Sequence, residues 1–376
     1  MKKLDYIDAL RGFAILATII VHTNQFGHSD LPVVLNKIVD SGAMGVQLFY
    51  IVSAFTLFLS FKSRSVKEIR PVRNFFIRRF FRIAPMFYLG ICYYLFQNTY
   101  GSWDDLGGPI SFSAAEIFSN IIFLHWLNPF WISNLVPGGW SIGIEMTFYL
   151  IIPFLFSKIK NINQAFNFFM VALLLKAVLN VIFLKFPLLG DSRIWDQFLF
   201  FYFPSQLPVF ALGIIMYFIL AEGNKITDIS GKSMLVFSII LLVQLTSGSN
   251  LILQKHILFG MSFVLLSIGL SKYPYYVIVN PVIKYIGKLS FSMYLVQFSV
   301  FFWLSKFHSI DYFNNGILNY ATRFFIVTSI TVLIANIFYK FVELPFQKIG
   351  KSIIDKLENM ATKYPIADYK QQKDTT

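Results

Sequence analysis

The chain alternates long apolar runs with short polar connections. The runs fall near residues 7–26, 43–61, 82–98, 141–157, 165–185, 197–220, 233–247, 251–271, 285–305 and 321–342. Most approach the roughly 20 residues that a helix rising 1.5 Å per residue needs to cross a bilayer. A further apolar piece, 117–127, is too short to span comfortably. Charge in the connections decides its status. Residues 62–82 hold Lys62, Arg64, Lys67, Arg70, Arg73, Arg78, Arg79 and Arg82 against the single acid Glu68, whereas 98–116 hold Asp104, Asp105 and Glu116 with no Lys or Arg. The excess of basic residues on cytoplasmic loops then puts both termini in the cytoplasm. Passing from the outside loop 98–116 to the inside loop 158–164 takes an odd number of crossings, so 117–127 and 141–157 do not both span. The pattern predicts an all-α polytopic membrane protein of about ten transmembrane helices, with one short re-entrant or interfacial segment near 117–127. Residues 1–345 form the membrane domain. Residues 346–376 form a basic cytoplasmic tail, amphipathic around Lys348, Lys351 and Lys356 and disordered beyond.

Composition narrows the class. Only 14% of the 376 residues are charged and 56% are hydrophobic, against about 25% charged in soluble domains. The net charge of +13 sits in the connections, so no soluble basic domain is left for nucleic acid. Cys92 is the only cysteine, which excludes an internal disulfide or a cysteine-cluster metal site. No His or acidic pair has metal-ligand spacing, and no metal is expected. The first run carries charges and no small-residue cleavage site, so it reads as a retained helix, not a signal peptide. No internal repeat is visible, which disfavours an inverted-repeat transporter.

Against this background the polar residues within the runs stand out. Asp8, Arg11, Thr18 and His22 interrupt the first run, and Arg11 and His22 are three helical turns plus roughly 20° apart. One face of that helix is therefore polar, and ionisable groups at membrane depth face protein or a wet cavity. A His hydrogen-bonded near the interface is the plain alternative. Arg79 and Arg82 share a helix face, with Arg78 beside them and Pro85 just beyond. Forked guanidinium groups so placed suit phosphate, although arginines at a cytoplasmic helix end are also ordinary topology signals. The stretch GGWSIGIEMTFY holds Gly138, Gly139, Trp140, Ser141, Glu145 and Tyr149. Ser141 and Glu145 lie one turn apart, and Glu145 is either an acid or base, a partner for His or Arg, or a carboxylate at a helix start. Gly42, Gly45, Ser53 and Ala54 suit close helix packing. In GKLSFSMYLVQF, Tyr294 and Gln297 either line a cavity or bond between helices. His125 and Trp126 are ambiguous.

Taken together, LDYIDALRGFAIL followed by His22, GAMGVQLFYIVSAF, RRFFRIAP, GGWSIGIEMTFY, GKLSFSMYLVQF and FVELP resemble, in order, the motifs of the acyltransferase-3 family of integral-membrane acyltransferases, over about residues 4–345. Members O-acetylate lipopolysaccharide O-antigen, exopolysaccharide and other surface sugars. The resemblance implies a bacterial inner (cytoplasmic) membrane enzyme that moves an acyl group, most often acetyl, from acyl-CoA as co-substrate to a hydroxyl of a cell-surface glycan or its lipid-linked precursor. No permanently bound cofactor is implied. His22 and Glu145 match the catalytic positions, and Arg11, Arg79, Arg82, Trp140, Ser141 and Tyr294 the substrate- or donor-binding ones. Two departures are visible: Ala54 replaces the usual Gly, and Gln297 stands where many members have His, which removes any titrating group there. Some members carry a fused extracytoplasmic esterase-like domain. None follows here, so the chain is expected to complete transfer itself or rely on another protein. The rival readings are a carrier or flippase for a lipid-linked sugar, with His22 and Glu145 lining the route, and a structural subunit of an envelope complex.

Overall fold

The computed structural model describes residues 4–101, 110–221 and 254–363, with 235, 238, 239, 242 and 246 between the last two. All regular structure among them is helical: α1 (Asp5–Gln25), α2 (Val33–Asp40), α3 (Gly45–Ser65), α4 (Pro71–Gln97), α5 (Ala114–Ile121), α6 (Gly139–Lys158), α7 (Ile162–Lys185), α8 (Ser192–Phe201), α9 (Phe203–Leu220), α10 (Lys255–Lys272), α11 (Pro281–Lys306), α12 (Gly316–Phe338) and α13 (Leu344–Lys363). Side-chain caps set several of the starts. Asn161, Asp191, Asn280 and Asn315 accept from backbone amides at the heads of α7, α8, α11 and α12. Prolines open α4 and α11, where their missing N–H costs nothing.

Seven stretches among the described residues are long and apolar enough to cross a membrane: α1, Val33–Ser65, α6, α7, Ser192–Leu220, α10 and Gly316–Thr362. Helices α4 and α11, at 27 and 26 residues, have the length, but their polar positions keep them out of that group. The expected run 233–247 lies largely outside the described residues. Val171, Leu174, Val181 and Leu184 of α7 and Phe325 and Leu333 of α12 are exposed, an apolar outer wall suited to lipid and not to water.

The structure redraws several boundaries. The 117–127 piece is two pieces, the eight-residue α5 and a 3₁₀ turn at His125–Leu127, neither long enough to span. The third helix in the expected count begins at Pro71, not near 82, so all three arginines Arg78, Arg79 and Arg82 sit within α4. The 197–220 run is broken at Tyr202, whose extended backbone (φ −61°, ψ 156°) separates α8 from α9. The connection expected at 27–42 contains α2 and a 3₁₀ turn. After α12 a π turn at Tyr339–Glu343 leads directly into α13, which packs on α4. There the Glu358 carboxylate accepts from the Ile69 and Arg70 amides (2.7 and 3.2 Å) and from Asn74 Nδ2 (2.9 Å). The first part of the expected tail is thus a docked helix, and 364–376 lie outside the described residues.

Helix α1 is central. It packs against α3, α11 and α12. Its crossing with α11 is exceptionally close at Gly287, where an added Cβ would stand 1.8 Å from the Asp8 carbonyl oxygen, and at Gly12, where it would stand 2.4 Å from the Ile283 carbonyl oxygen. Small residues let helix backbones approach in this way. Gly287→Ala should therefore force α1 and α11 apart and destabilise the protein by about 1–3 kcal/mol, the usual range for overpacking. Thermal unfolding of the detergent-solubilised variant checks this, and an unchanged midpoint contradicts the close crossing.

Candidate active site

Two cavities lie along α1. The smaller, about 80 Å³, is lined by all three of Arg11, Arg79 and Arg82, with Ser141, Glu145 and Tyr294 among the other walls. Five helices supply them. α1 gives Arg11, α4 gives Arg79 and Arg82 from one face, and α6 gives Ser141 and Glu145 one turn apart. α11 gives Tyr294, and α3 gives Ser53 and Thr56.

The charges in this cavity are only partly met. Arg11 reaches Asp8 Oδ1 (3.4 Å) and Thr56 Oγ1 (3.3 Å). Arg79 lies over the rings of Phe75 and Tyr149 at 5.5 and 5.7 Å, a cation–π arrangement, and its buried Nε has no hydrogen-bond partner among the described residues. Neither Arg79 nor Arg82 forms an ion pair among the described residues. Glu145 looks unpaired in the sequence. In the structure its Oε1 accepts from Ser53 Oγ at 2.5 Å and Tyr149 OH at 2.7 Å. These bonds hold the carboxylate without neutralising it. The cavity keeps an excess of positive charge, which suits an anionic occupant.

The larger cavity, about 610 Å³, is lined by His22, Gln25, Trp140, Tyr294 and several further aromatic and amide side chains. Trp140 stacks on Phe201 at 4.2 Å between ring centroids. The His22 ring rests on Phe298 at 4.4 Å, and its Nδ1 meets Gln25 Oε1 at 2.6 Å. A carboxamide oxygen only accepts, so Nδ1 carries the proton and Nε2 keeps the lone pair. This contact favours the Nδ1–H tautomer, which leaves the lone pair on Nε2.

Val46 and Tyr294 line both cavities. The Tyr294 hydroxyl accepts from Ser141 Oγ (2.9 Å) and donates to the Gly138 carbonyl (3.1 Å). Gly138 caps α6 at φ +71°, a conformation open to glycine, and an added Cβ there would meet the Tyr294 hydroxyl at 2.8 Å.

Of the site residues expected from sequence, the structure gathers Arg11, Arg79, Arg82, Ser141, Glu145 and Tyr294 in one cavity. It places His22 and Trp140 in the other, so His22 and Glu145 do not share a chamber. Thr18 lines the larger cavity, but its hydroxyl bonds to Ile15 of its own helix at 2.8 Å. Gln297 lines neither cavity; its Nε2 bonds to the Tyr294 carbonyl at 3.2 Å within α11. Arg78 is held at Glu68 by two bonds of 2.7 and 3.2 Å. His125 is buried and donates Nε2–H to the Gly139 carbonyl at 2.9 Å, fixing the start of α6. The FVELP glutamate, Glu343, is buried and bonded to Ser292 Oγ, so two sequence motifs meet there.

Sequence reasoning missed Gln25, Ser53 and, above all, Arg323. Arg323 is fully buried in α12, and all five of its N–H donors are used. They go to Thr23 O (2.9 Å), Ser29 Oγ (3.0 Å), His28 O (2.7 Å), Ile310 O (2.9 Å) and Asp311 Oδ1. The knot ties the last turn of α1, directly after His22, to the 308–313 loop. Partial burial pulls the Asp311 pKa up. Hydrogen bonds from Asn319 and the His28 amide, with the Arg323 charge, outweigh it and hold the carboxyl below its ordinary range. An arginine inside an apolar run was the available signal. Lysine has three donors and no fork, so Arg323→Lys should leave carbonyls at the end of α1 unpaired and cost about 1–3 kcal/mol. A thermal-unfolding comparison checks it, and a midpoint equal to the wild type contradicts the clamp.

The family model described as an acyltransferase domain matches residues 4–340. The chain is similar to the "Putative O-acetyltransferase" of Staphylococcus aureus strain COL, 26% identical over 383 residues covering 93% of this chain. It is similar also to the O-acetyltransferase OatA of Staphylococcus aureus strain NCTC 8325 / PS 47, 26% identical over 377 residues. The chain spans 58% of the length of each of these relatives. No solved structure matches.

Proposed function

The chain belongs to the acyltransferase-3 family, and we propose that it moves an acetyl group from acetyl-CoA to a hydroxyl of a glycan at the bacterial cytoplasmic membrane. As a member of that family it is a membrane acyltransferase that transfers groups other than aminoacyl groups. The observation that carries the finer reading is the division of chemistry between the cavities: guanidinium groups crowd the smaller, and a histidine with a free Nε2 lines the larger.

In this reading Arg79 and Arg82 hold the phosphates of the CoA thioester by charge-assisted hydrogen bonds, and Arg11 completes the positive field. Glu145, held by Ser53 and Tyr149, limits the repulsion among the three arginines. The basic stretch 62–73 covers the end of α3, the turn after it and the start of α4, so the donor enters at that end, from the cytoplasm under the positive-inside rule. The thioester reaches the boundary marked by Val46 and Tyr294, and the acceptor hydroxyl waits in the larger cavity. His22 Nε2 takes the hydroxyl proton as the oxygen attacks the thioester carbonyl. The C–S bond breaks, and the imidazolium returns its proton to the departing thiolate. Gln25 keeps Nδ1–H fixed throughout, so the ring offers one basic nitrogen.

His22→Ala should lower O-acyl transfer by about 10²–10⁴-fold, the usual contribution of a positioned general base. Arg82→Ala should weaken use of the CoA donor while leaving the base in place. Mass spectrometry of glycan O-acyl groups in cells expressing each variant reads both. Full acylation by His22→Ala overturns the base role. Glycan movement across the membrane with no acyl-CoA consumed would favour a carrier.

A further inference from the structure

The two cavities differ in charge, and the difference bears on the acceptor. Resting on the acyl-transfer reading above, we propose that the larger cavity selects an uncharged sugar ring, a hexose or N-acetylhexosamine, and rejects rings bearing a carboxylate or phosphate. Among the described residues its lining contains no Asp, Glu, Lys or Arg. The polar side chains it offers are neutral amides and hydroxyls, with His22 beside them. Gln197 is exposed on α8 and has no hydrogen bond among the described residues, so its amide is free to both donate and accept. Ser133 and Asn134 stand on the 128–138 connection, Asn134 with its Nδ2 donated to Glu116 Oε1 (2.8 Å) behind the lining, and the same connection presents Phe130, 55% exposed.

Amides that donate and accept suit the paired hydroxyls of a sugar, and exposed aromatic faces suit its C–H faces. A carboxylate brought up to His22 would meet no opposite charge among the described lining residues, so whatever hydration it gives up there is not replaced by an ion pair. The three guanidinium groups that could pair with an anion line the other cavity, where the donor phosphates would compete for them. The volume of about 610 Å³ is within the usual range for ligand sites, ample for more than the reacting ring alone. The terminal portion of a chain can therefore enter, and any charged groups farther along the polymer can remain outside.

The test uses the purified full chain in lipid nanodiscs with acetyl-CoA and a panel of neutral hexose and N-acetylhexosamine oligosaccharides, each paired with its uronate-terminated counterpart. Thiol release reads transfer, and quenching of intrinsic tryptophan fluorescence reads binding independently of turnover. The expected result is tighter binding and a kcat/KM at least about tenfold higher for the neutral member, the discrimination expected when a charge gives up hydration at a site that offers it no partner. Gln197→Lys, which introduces a cation into the lining, should narrow that ratio. Equal binding and equal transfer for both members overturn the proposal while leaving acyl transfer intact. Preferential binding of neutral sugars without thiol release supports the selectivity and refutes the acyl-transfer reading. Absence of sugar binding in both forms, with or without acetyl-CoA, overturns the selectivity.

Discussion

Three arginines held within one small chamber of an apolar helix bundle are the constraint on which the rest of this structure turns. Such charges are expensive at membrane depth and persist where a cavity, a partner or a ligand meets them. Here the protein meets them partly. Asp8 takes one end of Arg11, the rings of Phe75 and Tyr149 face Arg79, and Glu145 supplies an opposite charge nearby. Each helix must arrive at the right height for this to hold. The glycine crossing of α1 and α11 allows the approach that puts Arg11 and Tyr294 on one cavity wall. Helix α6 carries Glu145, the carboxylate that lines this chamber beside the three guanidinium groups.

Helix α1 joins this chamber to the second. Arg11 and His22 lie on one stripe, roughly 16 Å apart along the axis, and they line different cavities. The intervening boundary is set by Val46 and by Tyr294, whose hydroxyl is fixed between Ser141 and Gly138. A thioester on a long flexible arm suits this layout, because its charged end and its reactive end have opposite requirements. The phosphates suit guanidinium groups, and the hydroxyl that attacks the carbonyl needs a neutral base. Arg323 closes the design at the far end of α1 by fixing the backbone just beyond His22.

Much of this was legible in the sequence because polar residues in apolar runs are so costly that each demands an explanation. His22, Arg11, Arg79, Arg82, Glu145 and Tyr294 all carried that signal, and all line a cavity. The chain order of motifs pointed to the family. Spacing within one helix also predicted shared faces, as for Ser141 and Glu145. It could not predict which helices meet, so the separation of His22 from Glu145 was invisible, as was the seating of Ser53 on Glu145. Hydropathy misplaced the start of α4, since Arg78, Arg79 and Arg82 depress it where the helix is already formed. It also ran through Tyr202, where an extended backbone breaks a continuous apolar stretch. Arg323 carried the signal but lay at the edge of an expected span, where an arginine passes for an interfacial anchor.

The acyl-transfer proposal requires the phosphate end of a CoA thioester to engage Arg79 and Arg82 at the arginine chamber and its acyl end to reach the Tyr294 boundary. A cryo-electron microscopy map of the protein with a non-hydrolysable acetyl-CoA analogue tests it directly. The expected result is phosphate density against Arg79 and Arg82 and the acyl carbon beside Tyr294, facing His22. Phosphate density in the larger cavity, or an analogue bound away from both arginines, would contradict it.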